Sequence, residues 1–172
     1  MSADNQQGRL SEYFSFYIAG FVDGEGSFHV AVQKSQNVKL GWQVIPEFHV
    51  SQNRERTATL EAIKDELGCG YIKPNHRLRA NDKSNVLVVR NHHDLIKKVI
   101  PFFRRYRLIS SKNEDFEKFA TVVEMIEERK HLTARGLKQI LRIAFSMNQG
   151  GRYRKLNLKD ILHSLVPSET TR

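Results

Sequence analysis

From Ser11, a good helix N-cap residue, apolar side chains recur at Phe14, Tyr17, Ile18 and Phe21 with helical spacing. The pattern predicts a helix that stops where Gly24 and Gly26 flank Glu25. Clean alternation follows. Phe28, Val30 and Val32 face one way, and Ser27, His29, Ala31 and Gln33 the other, which is a half-buried strand. After a polar connection, Trp42, Val44, Phe48 and Val50 alternate against Gln43, Ile45, Glu47 and His49. Pro46 cannot donate to a ladder and points to an edge strand or a bulge.

Leu60, Ile63 and Leu67 mark a second helix, with Gly68 as its stop. Short strands at 70–74 and 86–89 bracket a polar, basic loop, Asn75 to Ser84. The run Val86–Val89 is apolar throughout and does not disclose which residues share a face. A third helix carries Leu95, Ile96, Val99, Ile100 and Phe103, bent or ended by Pro101. Two more follow, on Phe116, Phe119, Ala120, Val123 and Ile126, then on Leu137, Ile140, Leu141 and Ala144 with Thr133 as cap. Gln149-Gly150-Gly151 breaks the chain before a short helix over 158–165. The order αββαββα looks like a structural repeat and predicts an α+β fold with extra C-terminal helices.

Composition narrows the function. The 172 residues fit one domain over 1–172, with a core at about 11–130 and a helical extension at about 131–166. A net charge of +9 favours a polyanionic partner. Cys69 is the sole cysteine, which excludes an intrachain disulfide and a thiolate zinc site. It lies between two glycines beside apolar neighbours and reads as a small buried side chain. Met1 to Leu10 is polar and lacks a secretory core, its few positive charges make a poor transit peptide, and no apolar run reaches membrane-spanning length. No membrane partner is expected; bacterial cytoplasm and an organelle interior both remain open. There is no phosphate-binding glycine loop or dinucleotide fingerprint, and the seven histidines make no convincing zinc pattern; His29 and His49, if opposite one another on the outward sheet face, could form a metal pair, with DNA contact the preferred reading.

The segment Ile18-Ala19-Gly20-Phe21-Val22-Asp23-Gly24-Glu25-Gly26 carries the most information. Its small residues let a second helix backbone approach closely. Glu25 falls at the negative end of the helix dipole, where a cation would relieve repulsion. These nine residues resemble the motif of the LAGLIDADG homing endonucleases, and the αββαββ order is similar to that family's fold. The resemblance implies a four-stranded antiparallel saddle sheet with helices on one face. It implies pairing of two copies through Ile18, Ala19, Gly20, Phe21, Asp23 and Gly24, with Asp23 structural, inside the helix-pair interface. Glu25, with the Gly24 carbonyl, would hold a divalent ion, usually Mg²⁺. Phe48-His49-Val50-Ser51-Gln52 resembles the family pattern leading to a water-positioning Gln52, and Arg56 would offset charge at the scissile phosphate. A basic side chain after Pro101 is also implied. After Pro101-Phe102-Phe103 the lengths diverge from the family: a strict count lands on Ser110, Lys112 is the nearest candidate, and Arg107 in that role or a vacant role are the alternatives.

The outward sheet face offers Ser27, His29, Ala31, Gln33, Gln43, Glu47 and His49, polar groups suited to base edges in a major groove. A solvated sheet face reads the same way. Lys34, Lys39, Lys73, Asn75, Arg77 and Arg79, at strand ends and in the loop, suit phosphate or edge contacts. Between Leu95 and Asn113, Lys97, Lys98, Arg104, Arg105, Arg107 and Lys112 occur with no acid, interleaved with aromatics, as one wall of an electrostatic footprint. The expected function is a Mg²⁺-dependent, site-specific DNA endonuclease, intron-encoded, acting as a homodimer on a long pseudo-palindromic duplex. The alternatives are an intron RNA maturase and a non-cleaving sequence-specific DNA-binding protein of the same fold.

Overall fold

Helix α1 (Ala3–Glu25) passes without a loop into strand β1 (Gly26–Lys34) in the computed structural model, which describes residues 3–75, 82–151 and 154–165. Gly26 makes this junction feasible. It is buried, and a Cβ there would lie 2.5 Å from Val22 Cγ1 and 2.7 Å from the Val22 carbonyl oxygen. Next come β2 (Trp42–Asn53), a 3₁₀ turn (Arg54–Arg56), α2 (Thr57–Leu67), β3 (Tyr71–Pro74) and β4 (Ser84–Val89). Helices α3 (His92–Asp94) and α4 (Ile100–Arg105) flank a π-helical segment, Leu95–Val99. Then α5 (Lys112–Glu127), a 3₁₀ turn (Lys130–Leu132), α6 (Ala134–Gly151) and α7 (Leu158–Ser164) complete the order.

The four strands form one sheet in the order β1-β2-β4-β3, with β4 antiparallel to both β2 and β3. The expected α+β arrangement with a four-stranded sheet is therefore present. β2 lies inside the sheet, yet at Pro46 its β4 side is unpaired, so the proline marks a local edge. The β4 ladder on β2 begins only at the pair Phe48↔Val89, beyond Pro46, so no β4 hydrogen bond is demanded of a residue without an N–H. Pro101 does not end its helix. The π-helical turn before it absorbs the missing donor, and the chain stays helical from His92 to Arg105.

The chain forms two compact units, one of Met1–Phe28 with Glu47–Glu114, the other of His29–Pro46 with Asp115–Arg172. The first is built around Phe28, Phe48 and Phe103. The first two rings stack at 5.0 Å, and each meets Phe103 edge-on at 5.4 Å. Such pairs contribute about 0.5–1.5 kcal/mol each beyond area burial. Helix α1 adds Ser15, Ile18, Ala19 and Val22, spaced i, i+3, i+4 and i+7, all buried. The expected face of Phe14, Tyr17, Ile18 and Phe21 is thus rotated by about one residue, and Tyr17 points outward. The helix also begins upstream of Ser11, because residues 3–10 contain no proline and Gly8 alone costs only about 1 kcal/mol. Leu60, Ile63 and Leu67 of α2 are buried as expected, and Gly68 caps the helix at φ +62°.

In the second unit Trp42, Leu137, Leu141, Ile161 and Leu165 form the core. Trp42 Nε1 donates to Ser164 Oγ at 2.9 Å, which satisfies the indole within that apolar setting. The Arg154 guanidinium donates to the carbonyls of Val30 and Ala144, both at 2.9 Å. Thr133 caps α6 by accepting from the Gly136 amide at 3.1 Å. The break expected at Gln149-Gly150-Gly151 is not found there, since helix α6 runs to Gly151; Asn148 and Gln149 within it have left-handed backbone.

Cys69 is buried, as expected, and burial, with Asp94 nearby, pushes its thiol up to about 11. A raised thiol stays protonated at neutral and mildly alkaline pH, so its reactivity grows with pH until about 11. At pH 8, iodoacetamide is expected to alkylate native Cys69 about 100-fold more slowly than the urea-unfolded chain. Mass spectrometry of timed quenches measures this, and equal rates would contradict the burial.

Candidate active site

The outward side of α1 carries a stripe opposite its core face. Tyr13, Tyr17, Gly20 and Gly24 follow one another at i+4, i+3 and i+4, and Phe16 lies beside them. All five are exposed, and a Cβ built on Gly20 or Gly24 meets nothing within 4 Å. Two residues assigned above to the pairing face do not belong to it. Ile18 and Ala19 are 0% and 4% exposed because they fill the interior of their own chain. Gly20, Gly24 and the half-buried Phe21 stay on the open side, and the three aromatics join them.

At the carbonyl end of α1, Glu25 is the last helical residue and is exposed. Lys112, the first residue of α5, reaches back to this end. Its Nζ donates to the Val22 carbonyl at 3.0 Å and the Gly24 carbonyl at 3.2 Å. A cation at this terminus complements the helix dipole. Asp23 lies between those two carbonyls in sequence. It accepts from the Ile109 amide at 3.2 Å, the Ser110 amide at 2.9 Å and the Ser110 hydroxyl at 2.5 Å. Desolvation alone would push its carboxyl up. The bonds from Ser110 and Ile109, with the charge of Lys112, outweigh it and hold the group below the usual carboxylate range. Asp23 therefore engages a loop of its own chain. Ser110, on which the strict count fell, anchors that loop, and Lys112 brings the positive charge.

Gln52 is half-buried on β2, opposite Asn85 of β4, and its Oε1 accepts from the Asn53 amide at 2.7 Å. Arg56 is exposed and ends the 3₁₀ turn that leads into α2. Thr57 fixes that turn, donating to the Arg54 carbonyl at 2.7 Å and accepting from Asn85 Nδ2 at 2.9 Å. The exposed Glu25 carboxylate and the Gly24 carbonyl are hard oxygen donors of the kind Mg²⁺ takes. Gly24 O already accepts from Lys112.

The β2–β4–β3 register resolves the run at Val86–Val89. His49 and Tyr71 flank Val88, and Ser51 and Lys73 flank Val86, so these six share one face. Glu47, assigned to an open reading face, is only 8% exposed. Its carboxylate is ion-paired to Arg90 and lies 3.3 Å from His49 Nε2. The period-2 pattern gave its side of the sheet but not its partner, which comes from the end of β4. Ser27, His29 and Ala31 are half-buried on β1. In the second unit the exposed Gln33 and Gln43 bond to each other at 3.1 Å, and the Lys34 ammonium lies over the Trp42 ring. Lys73 lies over Tyr71, and Asn75 closes the β3–β4 connection by donating to the Ser84 carbonyl. Arg77 and Arg79 fall outside the described residues. Arg104, Arg105 and Arg107 are exposed as expected. Lys98 instead pairs with Asp94 at 2.8 Å and caps α2 at the Gly68 carbonyl.

Known proteins share this architecture. The family model described as LAGLIDADG endonuclease matches residues 18–123. A probable intron-encoded endonuclease of Neurospora crassa is 35% identical over 153 residues, covering 88% of this chain and 32% of that protein. The chain spans 24–32% of the length of the first curated relatives it matches. The crystal structure of the homing endonuclease I-TnaI aligns with a TM-score of 0.78 at 39% identity, covering 88% of this chain and 97% of that one. I-SmaMI bound to an uncleaved DNA target in the presence of calcium ions aligns with a TM-score of 0.73 at 33% identity, covering 78% of this chain and 44% of that one. With more than half of its residues inside the family match, and the motif helix, the sheet and the exposed acid in place, the chain belongs to the LAGLIDADG endonuclease family.

Proposed function

We propose that this chain is a site-specific double-strand DNA endonuclease that works as a homodimer with a divalent cation, Mg²⁺ in the cell. One observation carries the reading: an exposed stripe on α1 with open space above Gly20 and Gly24, ending on an exposed Glu25. The motif occurs once in these 172 residues. Two chains related by a twofold axis and packed stripe to stripe would bring two Glu25 carboxylates to a common centre, one for each strand. The paired half-sites would follow the same twofold, which gives a pseudo-palindromic target and, on the family pattern, short 3′ overhangs. The I-SmaMI complex with DNA and calcium ions supports both the duplex partner and the divalent ion.

Glu25 and the Gly24 carbonyl would hold the ion. When bound, it supplies a Lewis acid and an activated water for in-line displacement. Lys112, kept at the helix end, places a positive charge where the phosphate would pass, and Arg56 offers a second. Gln52 would orient water. The +9 charge and the exposed arginines at 104, 105 and 107 would draw in the duplex, so affinity falls steeply with salt.

Glu25→Gln is expected to lower cleavage by about three orders of magnitude or more while leaving DNA affinity, measured in Ca²⁺, within about threefold. EDTA is expected to abolish wild-type cutting. Plasmid linearisation and gel-shift titration check both. A wild type that binds its site and cuts nothing in Mg²⁺ would establish a non-cleaving binding role, or, if it prefers the intron transcript, a maturase.

Gly20→Leu tests the pairing. A Cβ at Gly20 meets nothing within 4 Å among the described residues, the position is exposed, and the substitution removes a poor helix former, so the fold should hold or gain about 1 kcal/mol. Sedimentation velocity should nonetheless shift from dimer to monomer. A monomeric wild type, or a Gly20→Leu variant that remains dimeric, would refute the stripe-to-stripe interface.

A further inference from the structure

We propose that Asp23 and Ser110 form a positioning pair that holds Lys112 against the carbonyl end of the motif helix, and that strand cleavage depends on this hold. The inference rests on the assignment of Lys112 to the phosphate, made above, and adds two residues to it.

The bonds close a ring. One carboxylate, on Asp23, takes three donors from two consecutive residues, Ile109 and Ser110. The Ser110 hydroxyl donates to Asp23 and also accepts from the Lys112 amide at 3.1 Å. The Lys112 side chain then returns to α1 at Val22 O and Gly24 O, the carbonyls on either side of Asp23. Residues 109–111 lack apolar anchorage of their own, since Ile109 is 95% exposed and both serines are exposed. Leu108 is buried and fixes the start of the segment, but it leaves the direction of the next turn free. Asp23 and Ser110 set that direction, and with it the origin of a long, flexible lysine side chain. Neither residue reaches the reacting atoms in this arrangement. Each acts through Lys112, and small displacements of a charged group at a reacting centre cost about 100-fold in rate.

The test uses the full chain and a plasmid carrying the uninterrupted host-gene junction. Single-turnover cleavage at saturating protein is compared for the wild type, Ser110→Ala, Asp23→Asn, Ser110→Thr, Lys112→Ala and the double variant Ser110→Ala/Lys112→Ala. Ser110→Ala and Asp23→Asn should each slow cleavage about 10- to 100-fold, with DNA affinity in Ca²⁺ changed by less than about threefold. Ser110→Thr, which keeps the hydroxyl, should restore most of the rate. The double variant should cut no more slowly than Lys112→Ala alone, because the serine acts through the lysine. Losses that multiply, or a Ser110→Ala rate equal to wild type, would overturn the proposal. A second readout needs no DNA. The chain is labelled with ¹³Cε-lysine, which leaves the ammonium and both its bonds intact, and the Lys112 Cε resonance is assigned from the Lys112→Ala spectrum. In the wild type it should stand apart from the exposed lysines, and it should join them in Ser110→Ala and Asp23→Asn. A resonance that does not move overturns the hold even in an active enzyme. If Lys112→Ala cuts at the wild-type rate while the resonance moves as expected, the hold exists and the catalytic assignment of Lys112 is what fails.

Discussion

Everything in the first unit is referred to the carbonyl end of helix α1. A helix of 23 residues ends there with its last carbonyls unpaired by the helix itself, and the next residue already belongs to a strand. No loop intervenes to hydrate or cap those groups. The Lys112 ammonium takes two of the carbonyls, and a carboxylate one residue away grips the loop from which that lysine departs. The dipole, the cation and the carboxylate thus compensate one another locally. Glu25 is left exposed at the same point, with its side chain outside this exchange of hydrogen bonds among described residues. An acid is set beside a lysine whose charge is tied to backbone, and under the proposed function that combination can host both an ion and a phosphate.

Helix α1 also divides its sides unevenly. One side gives Ser15, Ile18, Ala19 and Val22 to the interior, and Ser15 donates from there to Glu66 at 3.2 Å. The other side exposes aromatic rings and two glycines. Large rings at Tyr13, Phe16 and Tyr17 combined with bare backbone at Gly20 and Gly24 make a surface that is bulky at one end and hollow at the other. A self-complementary twofold contact needs some such asymmetry only if the two helices cross, and the hollow end beside Glu25 is where the proposed crossing would lie. Hydration of three exposed aromatics is unfavourable in an isolated chain, which adds a driving force for covering them.

The pattern of apolar positions disclosed the elements well where burial is one-sided. β1 and α2 were legible because Phe28 and Val30, and Leu60, Ile63 and Leu67, each line one buried face. It failed on α1 because that helix carries large apolar groups all round, so period alone does not tell Tyr17 from Ile18; the small Ser15 and Ala19 marked the interior instead. The motif located Glu25, and no local signal located the bonding partners of Asp23, since Ser110 is distant in sequence and the intervening segment departs from family length. Glu47 shows the same limit. Alternation gave its side of the sheet, while its burial depends on Arg90 at the end of another strand. Register, which a uniform run such as Val86–Val89 does not encode, emerged only from the pairing of β4 with its two neighbours.

Gly26 has a consequence for how such a protein diversifies. Because added bulk there would run into Val22, the turn from helix to strand admits no spacer side chain and leaves no slack between Glu25 and the first sheet residues. The acid and the origin of the sheet are therefore joined directly, with no intervening residue. Under the proposed function, substitutions farther along β1 and β2 can rewrite which sequence is read without shifting where the backbone is cut. Target preference and scission offset are then mechanically independent traits, and evolution or an engineer can vary the former while inheriting the latter.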